Sequence, residues 1–250
     1  MLLETASPYD NIAEIYDKLW ADWYLPAAMP ALERLFFSKV RAGAKVLDLC
    51  CGCGHVTKEL VARGYEVTGV DASARLIELA RQELPATDFR VQDVRALQLE
   101  GKFAAILSTF DSLNHILTFE ALKGVFAGVK NLISLDGLFL FDMNLEEAYF
   151  ADLHRWAVTV DEANVTLVRG EYDDDAQLAK TELIWFAKEQ LPENFWRQHR
   201  SVVEERCYLQ QDILQGLREA GFSRIEAIPA ANAGMNSELG FGRVFFSCRL

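Results

Sequence analysis

The chain has 250 residues, 51% of them apolar, which fits one α/β domain with an elaboration and a large core. Its formal net charge of -12 weighs against a nucleic-acid partner, and no apolar run approaches the roughly 20 residues of a membrane span. Five cysteines fit a reducing cytoplasm, and the N-terminus has no basic region before a long apolar core, so we expect a cytoplasmic chain without a signal peptide.

Residues 1–40 predict a helical segment ahead of the first strand. Apolar residues recur at helical spacing between Ile12 and Leu19, and a second helix is expected after Pro30. Such a segment would lie over the carboxyl ends of the strands that follow. Its aromatic side chains, Tyr16 above all, either pack the helices onto the core or reach a ligand there.

A glycine-rich turn between a strand and a helix organises the chain at residues 45–56, KVLDLCCGCGHV. The β-prone run carries Asp48, the turn holds Gly52 and Gly54, and apolar residues at helical spacing follow. Glycine is needed where φ is positive or where the backbone approaches a ligand closely. The positive end of the helix dipole also faces this turn, so the segment predicts a nucleotide-binding site.

The turn does not match the dinucleotide fingerprint G-x-G-x-x-G, because Thr57 stands where the third glycine or alanine should be. The carboxylate of Asp48 also suits a cationic ligand better than a pyrophosphate. LDLCCGCG instead resembles the first motif, D-x-G-x-G-x-G, of the class I methyltransferases that use S-adenosylmethionine (SAM), with Cys50 at the first glycine position. The resemblance implies SAM as the cofactor and S-adenosylhomocysteine as its product. A nicotinamide-dependent oxidoreductase is the alternative for such a turn.

Cysteine and histidine side chains crowd the same turn and could suggest a metal. Zinc ligands are usually spaced C-x2–4-C with a second pair elsewhere, and adjacent residues in a tight turn point in different directions. We therefore expect no metal and interpret the cysteines as small filler residues. The residues concerned are Cys50, Cys51, Cys53 and His55.

Two further predicted strands end near acids. Residues 66–71 predict a strand that ends at Asp71, roughly 20 residues after the glycine turn, a spacing suited to a carboxylate that binds ribose hydroxyls. A short third strand precedes Asp93. Because open α/β sheets bind ligands at the carboxyl ends of their strands, Asp48, Asp71 and Asp93 are expected to share one site. The family resemblance implies that Asp93 and Val94 hold the adenine.

Residues 103–109, FAAILST, predict a buried central strand that runs into the loop FDSLNH at residues 110–115. This loop resembles the F-D-S-x-N-x segment of small-molecule methyltransferases related to the sugar N,N-dimethyltransferases and the glycine N-methyltransferase-like group. The resemblance implies that the loop faces the sulfonium. His115 would act as a base for a hydroxyl acceptor, whereas the plain interpretation is a structural or solvated histidine.

The core pattern continues on both sides of an interruption. A helix is predicted at residues 122–133, a turn at Asp136 and Gly137, and a fifth strand at residues 138–142. A later helix at residues 210–220 ends at Gly221, a C-cap residue. The phrase EAGFSRI resembles the segment that leads into the sixth strand of this family, and RVFFSC near the end of the chain predicts a seventh, antiparallel strand.

The interruption reads as an antiparallel meander. β-rich runs occupy residues 156–168, 178–188 and 196–207, with turn-like stretches at residues 172–176 and 191–194. The meander either closes a small core of its own or forms a lid whose inner face selects a substrate, and both can hold because alternate residues face opposite ways.

The expected fold is α/β and Rossmann-like, with a seven-stranded, mostly parallel sheet and helices on both faces. Residues 1–40 would form an N-terminal helical cap. Residues 41–150 and 206–250 would form the SAM-binding core, and residues 151–205 the antiparallel β lid inserted after the fifth strand.

The sequence predicts a SAM-dependent methyltransferase that moves a methyl group to a small-molecule acceptor by in-line displacement. The negative net charge of the chain is compatible with the approach of a cationic amine, which favours N-methylation. The alternatives are a SAM-dependent RNA or O-methyltransferase and a protein that binds SAM without chemistry. No membrane partner is expected, and a monomer and a homodimer fit equally well.

The predicted site residues fall into three groups. The catalytic candidates are His115 and Tyr16. The predicted cofactor contacts are Tyr16, Asp48, Cys50, Gly52, Gly54, Asp71, Ala72, Asp93, Val94, Thr109 and Phe110. The predicted substrate contacts are Asp111, Asn114, His115, Trp185, Trp196 and Arg197.

Overall fold

The computed structural model describes residues 7–18, 22–150, 155–188, 195–236 and 238–250. Leu19 of the predicted first helix and the predicted turn at residues 191–194 lie outside the described residues. Within these ranges, no helix is long and apolar enough to cross a membrane.

The described residues form two sheets and a set of helices. The strands are β1 Lys45–Leu49, β2 Glu66–Asp71, β3 Asp88–Val91, β4 Phe103–Ser108, β5 Ile133–Asn144, β6 Trp156–Val160, β7 Asn164–Asp173, β8 Leu178–Lys188, β9 Trp196–Arg206, β10 Arg224–Pro229 and β11 Arg243–Arg249. The α-helices are α1 Ala13–Tyr16, α2 Asp22–Leu32, α3 His55–Ala62, α4 Ala74–Glu83, α5 Phe119–Leu132, α6 Glu146–Phe150, α7 Gln210–Ala220 and α8 Ala230–Ala233.

The larger sheet has seven strands in the order β10-β11-β5-β4-β1-β2-β3. β1 to β5 pair in parallel, and β11 lies antiparallel between β10 and β5. This confirms the predicted Rossmann-like sheet and its antiparallel last strand. The order also places β1, β2 and β3 side by side, so the acids that follow them share one edge of the sheet.

Apolar clusters cover both faces of this sheet. On one face α5 and α7 pack against β5, with Phe126, Leu217 and Phe141 fully buried. On the other face α2 and α3 pack against β1, with Leu32 and Leu60 fully buried. Burying a side chain of this size contributes roughly 1.5–3 kcal/mol, so the two clusters hold the strand ends in fixed positions.

Local sequence signals explain where several core helices begin and end. The Ser73 hydroxyl accepts from the Leu76 N–H at 3.1 Å and caps α4, as predicted. Gly221 has φ +104° and ends α7, also as predicted. The Thr118 hydroxyl accepts from the Ala121 N–H at 3.3 Å, so α5 begins three residues before the predicted start.

The second helix does not begin after Pro30, as we predicted. α2 begins at Asp22 and contains both Pro26 and Pro30. A proline removes one backbone hydrogen bond from a helix, and the chain continues as a π-helix at Glu33–Phe37, where the hydrogen-bond ladder is irregular. Burial of residues such as Tyr24 against the sheet outweighs the cost of the two prolines.

The predicted turn at Asp136 and Gly137 is a bulge inside β5. The strand begins directly after α5, and its pairing with β4 jumps from Ile133 to Leu138. A Cβ at Gly137 would lie 2.6 Å from the Ile133 side chain and 2.9 Å from the Ser134 carbonyl oxygen. The glycine therefore marks a crowded bulge rather than a separate turn.

The smaller sheet is an antiparallel meander in the order β6-β7-β8-β9. The run predicted at residues 156–168 is two strands, because Asp161 turns the chain by accepting from the N–H groups of Ala163 at 2.7 Å and Asn164 at 2.8 Å. The short helix α6 that precedes the meander was not predicted. Ile12 and Ile15 pack against Leu183 and join the N-terminal segment to this sheet.

Candidate functional site

The glycine turn combines three left-handed residues. Cys50 has φ +60°, Gly52 has φ +55° and Gly54 has φ +87°. The predicted strand–turn–helix is present, and Cys50 adopts the conformation that glycine takes more easily. The Gly52 N–H donates to the Asp71 carboxylate at 2.9 Å, which fixes the turn against the end of β2.

Asp71 is half-buried at the end of β2, and both of its carboxylate oxygens are held by backbone groups. One accepts from Gly52, and the other accepts from the Ser73 N–H at 2.8 Å. Burial raises the pKa of Asp71, while these two hydrogen bonds lower it. Carboxylate oxygens have further lone pairs, so Asp71 can also accept from ligand hydroxyls. The neighbouring predicted contact, Ala72, is exposed.

Asp48 lies inside β1 rather than at its tip. It pairs with Gly69 and Leu107 on the neighbouring strands and is 1% exposed. Its carboxylate accepts from the Thr57 hydroxyl at 2.5 Å. Burial, with a smaller contribution from the nearby Asp71 carboxylate, raises the pKa of Asp48 to about 7 against the opposing effect of the Thr57 hydrogen bond.

Asp93 follows β3 and is held by the residue two positions further on. Its carboxylate accepts from the Arg95 N–H at 2.8 Å and from the Arg95 guanidinium, and these bonds hold its pKa below the usual range. Val94 next to it is buried. Burial is the largest cause that raises the pKa of the Cys50 thiol, and the charges of Asp71, Asp48 and Asp93 raise it further. The structure therefore brings the three predicted acids close to the same thiol.

The N-terminal segment is packed directly onto this turn. The Tyr16 ring lies over Gly52, 3.5 Å from where a Cβ would stand. Asp10 accepts from the Ser73 hydroxyl at 2.7 Å and from the Arg75 N–H at 3.1 Å, which ties the segment to the start of α4. These contacts place Tyr16 against the glycine turn, and its contact with a cofactor stays a prediction.

A small cavity lies between Tyr16, the glycine turn and the end of β4. Its volume is about 30 Å³, enough for about one water molecule. The lining residues are Tyr16, Tyr24, Leu25, Asp48, Cys50, Cys51, Cys53, His55, Val56, Thr109 and Phe110.

The chemistry of the turn and strand ends fits SAM. Carboxylates suit its ribose hydroxyls and cationic groups. A dinucleotide would instead need its pyrophosphate beside the buried Asp48. A larger cavity, about 540 Å³, lies beside the C-terminal end of β9 and is lined by none of the predicted site residues.

The loop after β4 is strained and is held by buried charges. Phe110 has φ +63° and Asp111 has φ +48°, an uncommon conformation for residues with side chains. The Asp142 carboxylate accepts from the Phe110 N–H at 2.8 Å and the Asp111 N–H at 3.3 Å. Arg243 donates to Asp111 at 2.9 Å and also pairs with Asp142. Phe110 stacks on Tyr24, with ring centroids 4.3 Å apart.

His115 has both ring nitrogens engaged. Its Nδ1 lies 2.8 Å from the Glu204 carbonyl oxygen, which can only accept, so Nδ1 carries the proton. In the neutral ring Nε2 then accepts from the Tyr9 hydroxyl at 2.8 Å. The histidine thus links the N-terminal segment to β9, and a proton from a substrate could reach Nε2 only by displacing Tyr9.

Glu205 on β9 is a site residue that the sequence analysis missed. Its Oε1 lies 3.7 Å from His115 Nε2, and its side chain is 17% exposed. Burial and then the Asp111 charge raise the pKa of Glu205 to about 7, while His115 and a hydrogen bond from Tyr149 oppose the rise. Asp142 and Arg243 were also missed. Asp142 ends the predicted fifth strand and Arg243 begins the last one. These positions at strand ends are the sequence signal that could have identified the two residues.

Two predicted substrate contacts have their polar groups engaged within the protein. Asn114 is fully buried and bonds to the backbone of Asn144 and the Arg206 carbonyl oxygen. Asp111 is bonded to Arg243 and to the Asn144 side chain. Both therefore shape the loop, and their contact with a substrate stays a prediction.

The three predicted contacts from the meander do not gather at the strand-end acids. Trp185 is buried beneath α1 and stacks on His199, with centroids 4.6 Å apart. Trp196 and Arg197 lie at the opposite end of β9 from Glu205, roughly 30 Å along the strand at about 3.3 Å per residue. Trp196 is exposed there.

One group of side chains in the described ranges could hold a metal. Asp17, Cys53 and His55 each place a ligand atom within 4.8 Å of the other two. Cys53 and His55 thus point to the same side of the turn, which our expectation for adjacent residues did not foresee. The Asp17 carboxylate and His55 Nε2 lie 2.7 Å apart, a direct hydrogen bond that accounts for the pair without an ion. The absence of a metal stays a prediction.

Comparison with known proteins identifies the core. Residues 46–137 match a family model described as a methyltransferase domain. The YqeM protein of Bacillus subtilis (strain 168), whose methyltransferase name is itself provisional, is 30% identical over 148 residues, 54% of this chain and 55% of that protein. The chain thus spans about half the length of such curated relatives.

Two other curated relatives have names that specify a reaction. The dTDP-3-amino-3,4,6-trideoxy-alpha-D-glucopyranose N,N-dimethyltransferase of Streptomyces venezuelae is 27% identical over 146 residues, 56% of this chain and 60% of that protein. The ubiquinone biosynthesis O-methyltransferase of Xanthomonas oryzae pv. oryzae (strain PXO99A) is 32% identical over 157 residues, 58% of this chain and 64% of that protein.

Among solved structures, the CcbJ methyltransferase of Streptomyces caelestis has a TM-score of 0.78 at 19% identity and covers 98% of both chains. A SAM-dependent methyltransferase of Clostridium acetobutylicum ATCC 824 has a TM-score of 0.74 at 22% identity and covers 98% of this chain and 99% of its own. At these identities the likeness shows the fold.

Proposed function

We propose that this chain, which carries a class I SAM-dependent methyltransferase domain, transfers a methyl group from SAM to the nitrogen of a small-molecule amine. The observation that favours an amine acceptor is the negative charge beside the strained loop. Glu205, Asp111 and Asp142 are acidic, and the cation among them, Arg243, is already paired with two of the acids. A site with excess negative charge favours a cationic acceptor.

In this proposal the strand ends hold the cofactor. Asp71 accepts from the ribose hydroxyls, Asp93 and Val94 hold the adenine, and the glycine turn lies against the methionine end. When bound, SAM supplies a methyl group already activated on a sulfonium. The protein's task is to align the acceptor and exclude water, and Tyr16 and Phe110 close the site from either side.

The names of the relatives support methyl transfer more strongly than a particular acceptor atom. One relative is named as an amino-sugar N,N-dimethyltransferase and another as an O-methyltransferase. Identities of 27% and 32% do not separate the two. The choice of nitrogen therefore rests on the local charge, and the net charge of -12 supports a small molecule over RNA.

Calorimetric titration with SAM, S-adenosylhomocysteine and NAD tests the cofactor. We expect micromolar binding of the first two and a loss of at least roughly tenfold in Asp71→Ala, because two or more hydrogen bonds to a charged group disappear. Asp88→Ala, an exposed acid on β3, is the matched control and should bind normally. Binding of NAD alone, or of none of the three, would overturn the proposal.

The acceptor is tested by transfer of a radiolabelled methyl group to a panel of primary and secondary amines and to matched alcohols. We expect label on amines and none on the alcohols. Label on alcohols alone would contradict the choice of nitrogen, and tight SAM binding without turnover on any acceptor would contradict catalysis.

A further inference from the structure

The Glu205 carboxylate differs from the other acids of the site because it accepts no hydrogen bond of normal geometry from the described residues. Asp48, Asp71, Asp93, Asp111 and Asp142 each accept at least one such bond. The Glu205 Oε1 lies 3.7 Å from His115 Nε2, too long for a hydrogen bond, and the Tyr149 hydroxyl approaches the same carboxylate. The Glu205 side chain is largely withdrawn from solvent.

A second polar group, the Tyr149 hydroxyl on α6, lies beside Glu205. It is buried, approaches the Glu205 carboxylate closely enough to lower the pKa of that acid, and makes no hydrogen bond of normal geometry within the part of the chain that the structure describes. Native proteins rarely leave a buried polar group without a good hydrogen bond unless a ligand or water completes it. The carboxylate and the hydroxyl together therefore mark a place for a ligand that donates hydrogen bonds.

The charges around this place favour a cationic donor. His115 is neutral when Nδ1 donates to the Glu204 carbonyl and Nε2 accepts from Tyr9. Arg243 is bonded to Asp111 and Asp142, so these three carry a net negative charge. The titratable or charged groups that face Glu205 are Tyr9, Asp111, His115, Tyr149 and Arg243.

We propose that Glu205 binds the ammonium form of the acceptor and takes its proton, so that the neutral amine can receive the methyl group. This inference rests on the proposed function and names a residue for it. An ammonium group has three donors, which can satisfy the Glu205 carboxylate and the Tyr149 hydroxyl together. His115 then acts as a positioning residue, because Tyr9 already occupies its free nitrogen.

The step balances as a proton transfer followed by a displacement. The ammonium gives one proton to the Glu205 carboxylate, which becomes a neutral acid, and the nitrogen lone pair is released. That lone pair forms a bond to the methyl carbon, the carbon–sulfur bond breaks, and its electrons remain on sulfur as a neutral thioether. The methylated amine leaves as a cation, and Glu205 returns its proton to solvent.

The environment of Glu205 suits this exchange. Burial and the Asp111 charge raise its pKa to about 7, which is close to the working range of a general base in a cell. Since the proton acceptor must be ionised, activity should fall as the pH drops below this value. The neighbouring Glu204 points to the other face of the sheet, where it pairs with Lys180 at 2.9 Å.

The test compares Glu205→Gln with Glu204→Gln, which removes the same charge one residue away. On the most active amine of the panel, we expect Glu205→Gln to lower kcat/KM by roughly 10²–10⁴-fold and to abolish the acidic limb of the pH profile. Glu204→Gln should match the wild type. SAM binding should be unchanged in both variants. A wild type that fails to bind SAM would contradict the proposed function rather than the role of Glu205.

A binding measurement covers the case in which no panel amine turns over. Cyclohexylammonium is titrated calorimetrically into protein saturated with S-adenosylhomocysteine, and we expect Glu205→Gln to weaken its binding at least roughly tenfold, with Glu204→Gln unaffected. Thermal unfolding checks that both variants fold. The proposal is overturned if Glu205→Gln retains activity within threefold with its acidic limb intact, or if it binds the ammonium as the wild type does.

Discussion

Asp48 is a buried acid whose charged form the fold disfavours. Its pKa is raised to about 7 by burial, against an ordinary value of about 3.9 in an unfolded chain. Between these values the native state holds a proton that the unfolded state has lost. The native state is therefore destabilised progressively as the pH rises from about 4 to about 7, and the cost is constant above that range.

Asp48→Asn removes this pH dependence while its amide oxygen can still accept from Thr57. Measured by urea unfolding, the difference in stability between the variant and the wild type should shift in favour of the variant by roughly 2–3 kcal/mol as the pH rises from 5 to 8. A constant difference for Asp48→Asn would contradict the burial argument.

Residues at strand ends were predictable because an acid after a β-prone run is a local pattern. Asp71 and Asp93 were found in this way, and the structure places them on neighbouring strands. Glu205 was not found, since an acid in an alternating strand looks like any solvated residue. Its importance depends on His115 and Tyr149, which the chain brings near only through tertiary packing.

At the scale of elements, the position of α6 depends on Gly242, a glycine distant in sequence that packs directly against the helix backbone. Gly242 has φ +66°, and a Cβ there would lie 2.1 Å from the Ala148 nitrogen and 2.7 Å from its Cα. The Leu145 N–H also donates to the Gly242 carbonyl at 2.9 Å. Because these are backbone atoms, α6 cannot yield without shifting as a whole, and it carries Tyr149.

Gly242→Ala should lower the free energy of unfolding by roughly 3 kcal/mol or more, from strained φ and overlap together. Gly124→Ala is the control, since Gly124 is exposed in α5 and its Cβ would meet nothing within 4 Å. That variant should gain roughly 0.5–1 kcal/mol from helix propensity. Chemical denaturation measures both, and equal stability of the two variants would contradict the close approach of α6.

The bounds of helices and strands with a regular apolar pattern or a capping residue were predicted well. The bounds that depend on tertiary packing were not. β2 and α7 have their predicted bounds, because alternation, apolar spacing and Gly221 are local signals. The start of α2 was wrong because two prolines argue against a helix that tertiary burial nevertheless stabilises. The bulge at Gly137 was also missed, since its crowding involves β4.

At the scale of the whole molecule, the N-terminal segment connects the two sheets. Tyr16 covers the glycine turn of the large sheet, while Ile12 packs against Leu183 and Val203 of the small one. The His115 ring adds a polar link between Tyr9 and β9. Any movement of this segment would therefore disturb the packing of the meander as well.

Ile12→Ala should expose this connection in amide hydrogen exchange. Losing a fully buried isoleucine costs roughly 2–5 kcal/mol, and we expect faster exchange in residues 9–18 and in β8 and β9. Strands β1 and β4 should exchange as in the wild type. Leu135→Ala, at a residue 77% exposed, is the control, and faster exchange confined to residues 9–18 would argue against the coupling.

The burial of the thiols has a practical consequence for following that movement. Cys50 is half-buried, the other four cysteines are buried, and burial raises the pKa of every one of them. Alkylating reagents attack the thiolate, so the native chain should label slowly. A single cysteine introduced on the exposed N-terminal surface, at Glu14, would then take a fluorophore selectively. The protein is in effect ready for single-site spectroscopy without removal of its own cysteines.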